Sequence, residues 1–193
     1  MLFVLLLALL LLPSAHGACT TTIASLPYTI TTSGNYCINN SFSSVTVPEF
    51  EGAITIAAPG VVMDCQGNSI GGRDDIDTYG IYANSSFVSV FNCSVSAFDI
   101  GVFLDAANNA SIENVTASLN ADGFIIDSSG SRISRSYASD NLGTGFYLSS
   151  SSTENAIYNS TAKNNLLDGF SSAGSYNTFS QDVSDGNSAG FSQ

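Results

Sequence analysis

The sequence predicts an all-β fold, a single-stranded parallel β-helix of about six coils of roughly 22 residues each. Glycine and apolar positions recur with a nearly constant period, and short β-prone runs are separated by turns rich in Asn, Ser, Asp and Gly. After the first residues, no stretch has a sustained helical period. Because one such coil cannot bury its own apolar face, neighbouring coils must stack into a solenoid, roughly 4.8 Å apart.

The N-terminal segment is typical of a secretory signal peptide, which we assign to residues 1–17. An unbroken apolar run from Leu2 to Leu12 is too short to cross a bilayer, and small residues follow it at Ala15 and Gly17. An N-terminal anchor is the alternative, because no Lys or Arg precedes the run. We expect a protein that is secreted, on the cell surface or periplasmic, with no membrane association after signal cleavage.

The charge balance narrows the classes of partner. The chain carries 4 Lys and Arg against 16 Asp and Glu, a net charge of −12, and all of these residues follow the signal peptide. Such a surface repels nucleic acid, anionic lipid and anionic polysaccharide unless a bound cation intervenes. The single histidine, His16, lies in the signal peptide, so the mature chain lacks the imidazole of Ser-His-Asp, Cys-His and His-ligated metal sites.

One set of strands is expected to begin at recurring glycines. Each of these glycines is followed by apolar residues, and the intervals between them are 21, 22, 22, 24 and 21 residues. We expect the residue after each glycine to face the core, in a column over successive coils. The glycines are Gly80, Gly101, Gly123, Gly145, Gly169 and Gly190.

Two more apolar columns predict a second and a third strand in each coil. One comprises Val90, Ile112, Ile133 and Ile157, and Val62 is expected to join it 28 residues upstream. That long interval is explained by a polar insertion of Arg73 to Thr78 in one coil. The other column lies five residues further along and comprises Val95, Ala117, Ala138 and Ala162.

The chain before the repeats is expected to close the column. We assign residues 18–52 to an N-terminal cap and residues 53–193 to the β-helix repeats. Asparagines a few residues before the repeat glycines are candidates for a ladder of stacked side-chain amides, or are simply good turn residues. They are Asn120, Asn141, Asn165 and Asn187. A further asparagine column of Asn92, Asn114 and Asn159 is expected to be interrupted, because Asp64 and Arg135 occupy its other positions.

Four cysteines agree with export to an oxidising compartment. We expect a disulfide between Cys19 and Cys37, which fastens the cap. Cys65 and Cys93 should lie one above the other on successive coils, either bonded or as buried thiols. No C-x-x-C pair exists, which argues against a zinc site.

The segment from Ala53 through Asp64-Cys65-Gln66-Gly67 to Gly72, followed by the Gly-Ile and Gly-Phe repeats, resembles the right-handed parallel β-helix repeat superfamily. That superfamily includes pectate lyases, polygalacturonases, alginate epimerases, phage tailspikes and periplasmic proteins of copper delivery to nitrous-oxide reductase. The resemblance implies the fold and its right-handed winding. It leaves the activity open, because this scaffold carries many unrelated functions.

The resemblance also implies tests for catalysis. Polygalacturonases of this fold use Gly-His-Gly and Arg-x-Lys elements, and neither is present here. Pectin-cleaving lyases use aspartate-bound calcium and a cationic base. Asp74, Asp75 and Asp77 form the only tight carboxylate cluster and are candidate Ca²⁺ ligands. Arg132 and Arg135 are the only cationic pair that could act on a uronate.

Six N-x-Ser/Thr sequons are present, although a composition this rich in Asn, Ser and Thr produces several by chance. Asn92 and Asn114 fall within repeat columns, so Asn84 and Asn109 are the better candidates for glycosylation. The remaining two are Asn39 and Asn159.

Two classes of function follow. The first is a secreted or cell-surface β-helix with a structural, adhesive or glycan-binding role, whose partner is a polysaccharide or cell-envelope glycan. The second is a small carbohydrate-active enzyme, a lyase or hydrolase, that uses the loop from Asp74 to Asp77. Catalysis is the less favoured, and calcium is the only cofactor we consider. Copper delivery is weaker still, because Met63 is the only methionine after the signal peptide. We also expect self-association through the C-terminal coil, where Phe170, Phe179 and Phe191 lie near an uncapped edge.

Overall fold

The computed structural model describes residues 18–193, which form a parallel β-solenoid. The predicted signal peptide lies outside the described residues. Within residues 18–193 every regular element is a strand, and no helix is long and apolar enough to span a membrane. The all-β fold class is therefore confirmed.

Three parallel sheets run the length of the solenoid, and a complete coil contributes one strand to each. The first sheet contains β1 (Thr21–Thr22), β3 (Gly34–Cys37), β5 (Val61–Asp64), β8 (Ser89–Phe91), β11 (Ser111–Glu113), β14 (Arg132–Ser134), β17 (Ala156–Tyr158) and β20 (Thr178–Ser180). The second sheet contains β2 (Tyr28–Ile30), β4 (Gly52–Ile56), β7 (Tyr79–Ala83), β10 (Ile100–Asp105), β13 (Asp122–Asp127), β16 (Phe146–Leu148), β19 (Asp168–Ser172) and β22 (Ala189–Ser192). The third contains β6 (Ser69–Gly71), β9 (Ser94–Ser96), β12 (Thr116–Ser118), β15 (Tyr137–Ser139), β18 (Thr161–Lys163) and β21 (Val183–Asp185).

The number of coils differs from the prediction. The first and second sheets each have eight strands, so the solenoid has about eight coils and not six. The difference arises because residues 18–52 supply β1, β2 and β3, which pair in register with the strands of the coils that follow. Residues 18–52, which we assigned to an N-terminal cap, therefore already contribute strands to the first and second sheets.

The apolar columns lie as the repeat predicted, with one correction. Val90, Ile112, Ile133 and Ile157 are register partners in the first sheet. The residue that stacks on Val90 from the previous coil is Met63, and Val62 pairs with Ser89 instead. Met63 is fully buried, whereas Val62 is only partly buried, because neighbouring residues of a strand face opposite sides of a sheet. Counting back 28 residues therefore missed the core-facing position by one.

The core of the last coils is a stack of phenylalanine rings. Phe124, Phe146, Phe170 and Phe191 are register partners in the second sheet. Their ring centroids are 4.6, 4.9 and 4.9 Å apart, and successive rings are within 10° of parallel. The constant coil height places each ring directly on the next.

An asparagine ladder crosses the turn between the third and second sheets, which confirms the ladder interpretation. Asn120, Asn141, Asn165 and Asn187 stack, and each side-chain Nδ2 donates to the Oδ1 of the next at 3.2, 2.8 and 2.8 Å. The same Oδ1 atoms accept backbone N–H groups, such as that of Asn120 at 3.0 Å from Asn141. Each amide also reaches back to a carbonyl of an earlier coil, as Asn141 does to Ala117.

This ladder explains the repeat glycines. A Cβ added at Gly123 would lie 2.5 Å from the carbonyl oxygen of Gly145 and 3.0 Å from Nδ2 of Asn141. A side chain at this position would therefore displace either the next strand or the asparagine. Glycine at the equivalent position of four successive coils, Gly101, Gly123, Gly145 and Gly169, leaves room for the amide column.

The second asparagine column is only partly interrupted. Asn114 donates to Asn92 at 2.8 Å, and Asn92 donates to Oδ1 of Asp64 at 3.0 Å. The expectation that Asp64 breaks this column is wrong, because its carboxylate accepts the amide hydrogen. Arg135 does end the column, since its guanidinium turns instead to the carboxylate of Glu113.

Two further polar ladders were not foreseen from the sequence. In the turn between the second and first sheets, the backbone N–H of Ser131 donates to Asn155 at 2.8 Å, and Asn155 donates to Asn177 at 3.1 Å. In the turn between the first and third sheets, the N–H of Ser136 donates to Oγ of Ser160 at 3.2 Å. No buried side-chain nitrogen or oxygen among the described residues lacks a hydrogen-bond partner.

The expected disulfide of the N-terminal segment is present, and the second cysteine pair, whose state the sequence left open, is bonded as well. Disulfides join Cys19 to Cys37 and Cys65 to Cys93, and the described residues contain no free cysteine. The Cα atoms of Cys65 and Cys93 are 4.9 Å apart, as stacking on successive coils requires.

We predict that Asn141→Ala lowers the free energy of unfolding by about 3 kcal/mol, because the Asn120 donors and the acceptors on Ala117 and Asn165 lose partners in a buried site. Asn114→Gly is the control, since it removes one rung of an exposed column at a residue whose φ of 54° glycine also accepts, and it should cost less than about 1 kcal/mol. Urea unfolding followed by circular dichroism measures both. Equal losses would show that the buried ladder has no special role.

Candidate functional site

The exterior of the second sheet carries a column of large side chains. Register pairing stacks Tyr82, Phe103, Ile125 and Tyr147 on four successive coils. Each follows an inward-facing residue, so strand alternation turns it outward, and each is partly exposed. Tyr79 begins the same strand as Tyr82 and adds a second ring beside it.

The rings of Tyr79, Tyr82 and Phe103 pack against one another, and we name them the aromatic platform. The ring centroids of Tyr79 and Tyr82 are 5.1 Å apart, and Phe103 lies 5.3 Å from Tyr79 and 5.6 Å from Tyr82. These separations are in the range of favourable aromatic contacts, which hold the rings in place. The platform exposes apolar ring surface in an otherwise acidic protein.

One edge of the platform is acidic and carries hydroxyl groups. Asp105 and Asp127 are register partners on successive coils. The phenol of Tyr82 donates to Oδ2 of Asp105 at 2.7 Å, and Ser149 Oγ donates to Oδ1 of Asp127 at 2.9 Å. Ser151 also donates to Asp127. These carboxylates retain oxygens that can accept hydrogen bonds from a ligand.

The opposite edge carries a second pair of carboxylates. Asp99 precedes β10, and Asp122 begins β13 one coil later. Burial raises the pKa of Asp122, and the neighbouring charge of Asp99 raises it further, against the lowering effect of a hydrogen bond from the N–H of Thr144. The insertion loop reaches this edge, because the N–H of Asp77 donates to Oδ2 of Asp99 at 3.2 Å.

The same surroundings perturb the tyrosines. Burial raises the pKa of Tyr79, and the charges of Asp77, Asp99 and Asp105 add to the effect. Burial and the hydrogen bond to Asp105 raise the pKa of Tyr82 to about 12. Three of the four resolved pKa shifts in the described chain therefore lie on this one face, a clustering that is typical of functional sites.

The structure does not gather the predicted calcium ligands into a cation site. Asp74 and Asp75 are exposed, and Asp77 directs its backbone N–H at Asp99. Across residues 18–193 no group of three or more His, Cys, Asp or Glu is placed to hold a metal ion. A role for calcium stays a prediction without support from the geometry.

The predicted arginine pair lies away from the insertion loop. Arg132 is on β14 of the first sheet, and Arg135 follows that strand and pairs with Glu113. The insertion lies between β6 of the third sheet and β7 of the second. A uronate site built from the loop and both arginines is therefore not assembled.

The candidate glycosylation sites are accessible. Asn84 and Asn109 are both exposed, although their modification stays a prediction. Asn39, Asn114 and Asn159 are exposed as well, whereas Asn92 is partly buried within its column. At the C-terminal coil, Phe191 is 52% exposed and Phe179 is partly buried. Self-association there also stays a prediction.

The aromatic platform was missed by the sequence analysis, although a signal for it was present. In the repeat, the second residue after the glycine is aromatic at Tyr82, Phe103 and Tyr147. Since the first residue after the glycine faces the core, alternation places the second outside. The flanking aspartates could not be related to it without the register of the coils.

Comparison with known proteins agrees with this architecture. A family model described as a right-handed β-helix region matches residues 29–193. The chain belongs to the right-handed β-helix family. No curated protein and no solved structure matches this β-helix protein. Its two disulfides and its family suggest an extracellular or periplasmic protein.

We predict that one tyrosine of the β-helix protein ionises near pH 12 and that Asp105→Asn moves this titration to lower pH, because a negative charge beside the phenol is removed. The raised pKa favours the folded state below the ordinary tyrosine pKa of about 10, and this contribution is lost as the pH rises towards 12. Ultraviolet absorbance titration of the folded protein, with Tyr82→Phe to assign the signal, measures the shift. An unchanged titration in Asp105→Asn would refute the contact.

Proposed function

We propose that the β-helix protein is a secreted or surface-exposed module that binds a neutral glycan across the exterior of its second sheet. The observation that carries the proposal is the aromatic platform of Tyr79, Tyr82 and Phe103, set between two edges of carboxylates. Sugar rings have apolar C–H faces and hydroxyl rims. A surface that combines aromatic faces with hydrogen-bond acceptors complements both.

The charge of the face supports a neutral ligand. Asp105 and Asp127 border one edge and Asp99 and Asp122 the other, so an anionic sugar would be repelled from both sides. The net charge of −12 adds repulsion at longer range. Neutral hexose or pentose polymers, whose hydroxyls donate hydrogen bonds to carboxylates, therefore fit better than uronates.

The shape of the face supports a polymer. The outward column continues from Tyr82 to Tyr147 over four coils at roughly 4.8 Å each. The outward residues therefore form a strip along the solenoid axis. An extended chain could lie along it and contact several coils at once, which suits adhesion to a wall or matrix glycan.

Neutral polysaccharides should bind the purified protein, and Tyr82→Ala combined with Phe103→Ala should weaken binding about tenfold or more, because these rings supply the apolar contact. Affinity electrophoresis in gels that contain β-glucan, xylan or mannan, followed by calorimetry with the oligosaccharide that retards the protein, measures the loss. Phe87→Ala is the control, since Phe87 is 64% exposed but lies in the turn between β7 and β8. Equal weakening by the control and the double variant, or no retardation by any neutral glycan, would contradict the proposal.

A carbohydrate-active enzyme is the second candidate. The specific observation for it is the pair of Asp99 and Asp122, in which one carboxyl has a raised pKa beside a second carboxylate. Glycoside hydrolysis uses such pairs, with the raised group as the proton donor. The insertion loop, bonded to Asp99 through Asp77, would then form one wall of the site.

Release of reducing ends from the same polysaccharide separates the two candidates. The binding proposal predicts that the β-helix protein releases none. If hydrolysis is seen, the enzymatic candidate requires that Asp122→Asn and Asp99→Asn each reduce it by at least about a hundredfold without loss of binding. Asp64→Asn is the control, because Asp64 ends β5 in the first sheet and does not belong to this face.

A further inference from the structure

A second exterior surface is apolar and unlike the aromatic platform. In the turn between the third and second sheets, Leu119, Leu142 and Leu166 are 63, 71 and 66% exposed. Ile76 of the insertion loop is 72% exposed. We name these four residues the aliphatic ridge. Large aliphatic side chains that gather on the surface of a soluble protein mark an interaction site more often than isolated ones do.

The aliphatic ridge borders a continuous groove. Three cavities of about 220, 400 and 610 Å³ adjoin one another, and Leu142 lines all three. They extend from the insertion loop at Asp74 and Ile76 to Ser188 in the last coil. At roughly 4.8 Å per coil, the groove is about 20 Å long, enough for about six residues of extended peptide.

The backbone conformation at Leu119 is one that other residue types adopt at lower cost. Its φ is 58°, in the left-handed region, which large side chains rarely adopt. The positions that follow it in the same turn of the next coils are Asp140, Asn164 and Gly186, the residue types that accept this conformation. An exposed leucine in a strained conformation contributes neither burial nor turn chemistry to the fold.

The groove is acidic as well as apolar. The carboxylates of Asp74, Asp75, Asp99 and Asp140 line it, and no Lys or Arg is among the residues that form its walls. These carboxylates form no group that could hold a metal ion within the described chain. Charge complementarity therefore calls for a cationic occupant. A second copy of this chain, with its own net charge of −12, is a poor match.

We propose that this groove binds an extended, cationic polypeptide segment whose apolar side chains pack on the aliphatic ridge and whose Lys or Arg side chains pair with the bordering aspartates. Aliphatic side chains and open walls suit a peptide better than a sugar, which favours the flat aromatic rings of the second sheet. The β-helix protein would then bind a glycan and a basic protein on adjoining surfaces, with Asp99 at the border of both. The peptide site does not depend on the glycan proposal.

The probe is a short fluorescein-labelled peptide of alternating lysine and leucine, measured by fluorescence anisotropy in low salt with the mature protein. We expect binding that weakens as salt is added. Two matched peptides, one with glutamate in place of lysine and one with serine in place of leucine, should bind at least about tenfold more weakly, since each lacks one half of the complementarity.

Variants assign the binding to the groove. The substitution Leu142→Ser combined with Leu166→Ser, and separately Asp74→Asn combined with Asp140→Asn, should each weaken binding about tenfold. Glu49→Gln combined with Glu154→Gln changes the net charge equally at exposed sites that do not line the groove, and it should leave the affinity within about twofold.

Leu119→Asn separates a binding role from a structural one. Asparagine tolerates the left-handed conformation, so this variant should melt at a higher temperature while it binds the peptide more weakly. Three results would overturn the proposal. They are equal binding of the glutamate peptide, equal weakening by the charge-matched control, and association of the protein with itself through the groove, seen as a dimer in sedimentation that the leucine variants abolish.

Discussion

The whole structure depends on the constant register between coils, and the polar ladders inside the turns maintain it. A parallel pair of strands could slip along its neighbour while keeping the same number of backbone hydrogen bonds. The side-chain amides of Asn120, Asn141 and Asn165 each bind backbone groups of the preceding coil and the side-chain oxygen of the next asparagine. A slip of one residue would therefore leave several of these buried groups without partners. The repeat glycines are the complement of this ladder, because they leave space for the amides.

The constant register also groups outward residues from different coils into continuous surfaces. Once the coils are aligned, the outward residue of each strand stacks on its equivalents, and isolated aromatics become the platform of Tyr79, Tyr82 and Phe103. The same alignment brings the exposed leucines of one turn beside Asp74 and Asp140. Two surfaces of different chemistry, one aromatic and one aliphatic, therefore lie on one rigid scaffold. Neither exists within a single coil.

Much of the fold could be predicted because glycine and apolar residues recur in the sequence with the period of one coil. Parts of the candidate site could not be predicted. The columns through Ile112, Val95 and the repeat glycines followed from spacing, as did the stacking of Cys65 on Cys93, although spacing left their bond open. Spacing alone placed Val62 in the core column, whereas the residue that occupies it is Met63. The polar insertion changes the interval between these two coils, and an error of one residue is enough to assign the wrong face of a strand. Asp74, Asp75 and Asp77 looked like a site because they are close in sequence. Among the described residues they form no group that could hold a metal ion, whereas Asp99 and Asp122, distant in sequence, come together across coils.

Hydrogen exchange of the turn amides tests the central claim that the ladders hold the coils in register. The N–H groups of Asn120, Asn141 and Ser131 donate to side chains and not to a strand. If the ladders are as cooperative as the sheets, these amides should exchange as slowly as those of Ile112 and Val102, only through global unfolding. Exchange within minutes at neutral pH, while the strand amides stay protected, would show that the turns open independently and that register is held by the sheets alone.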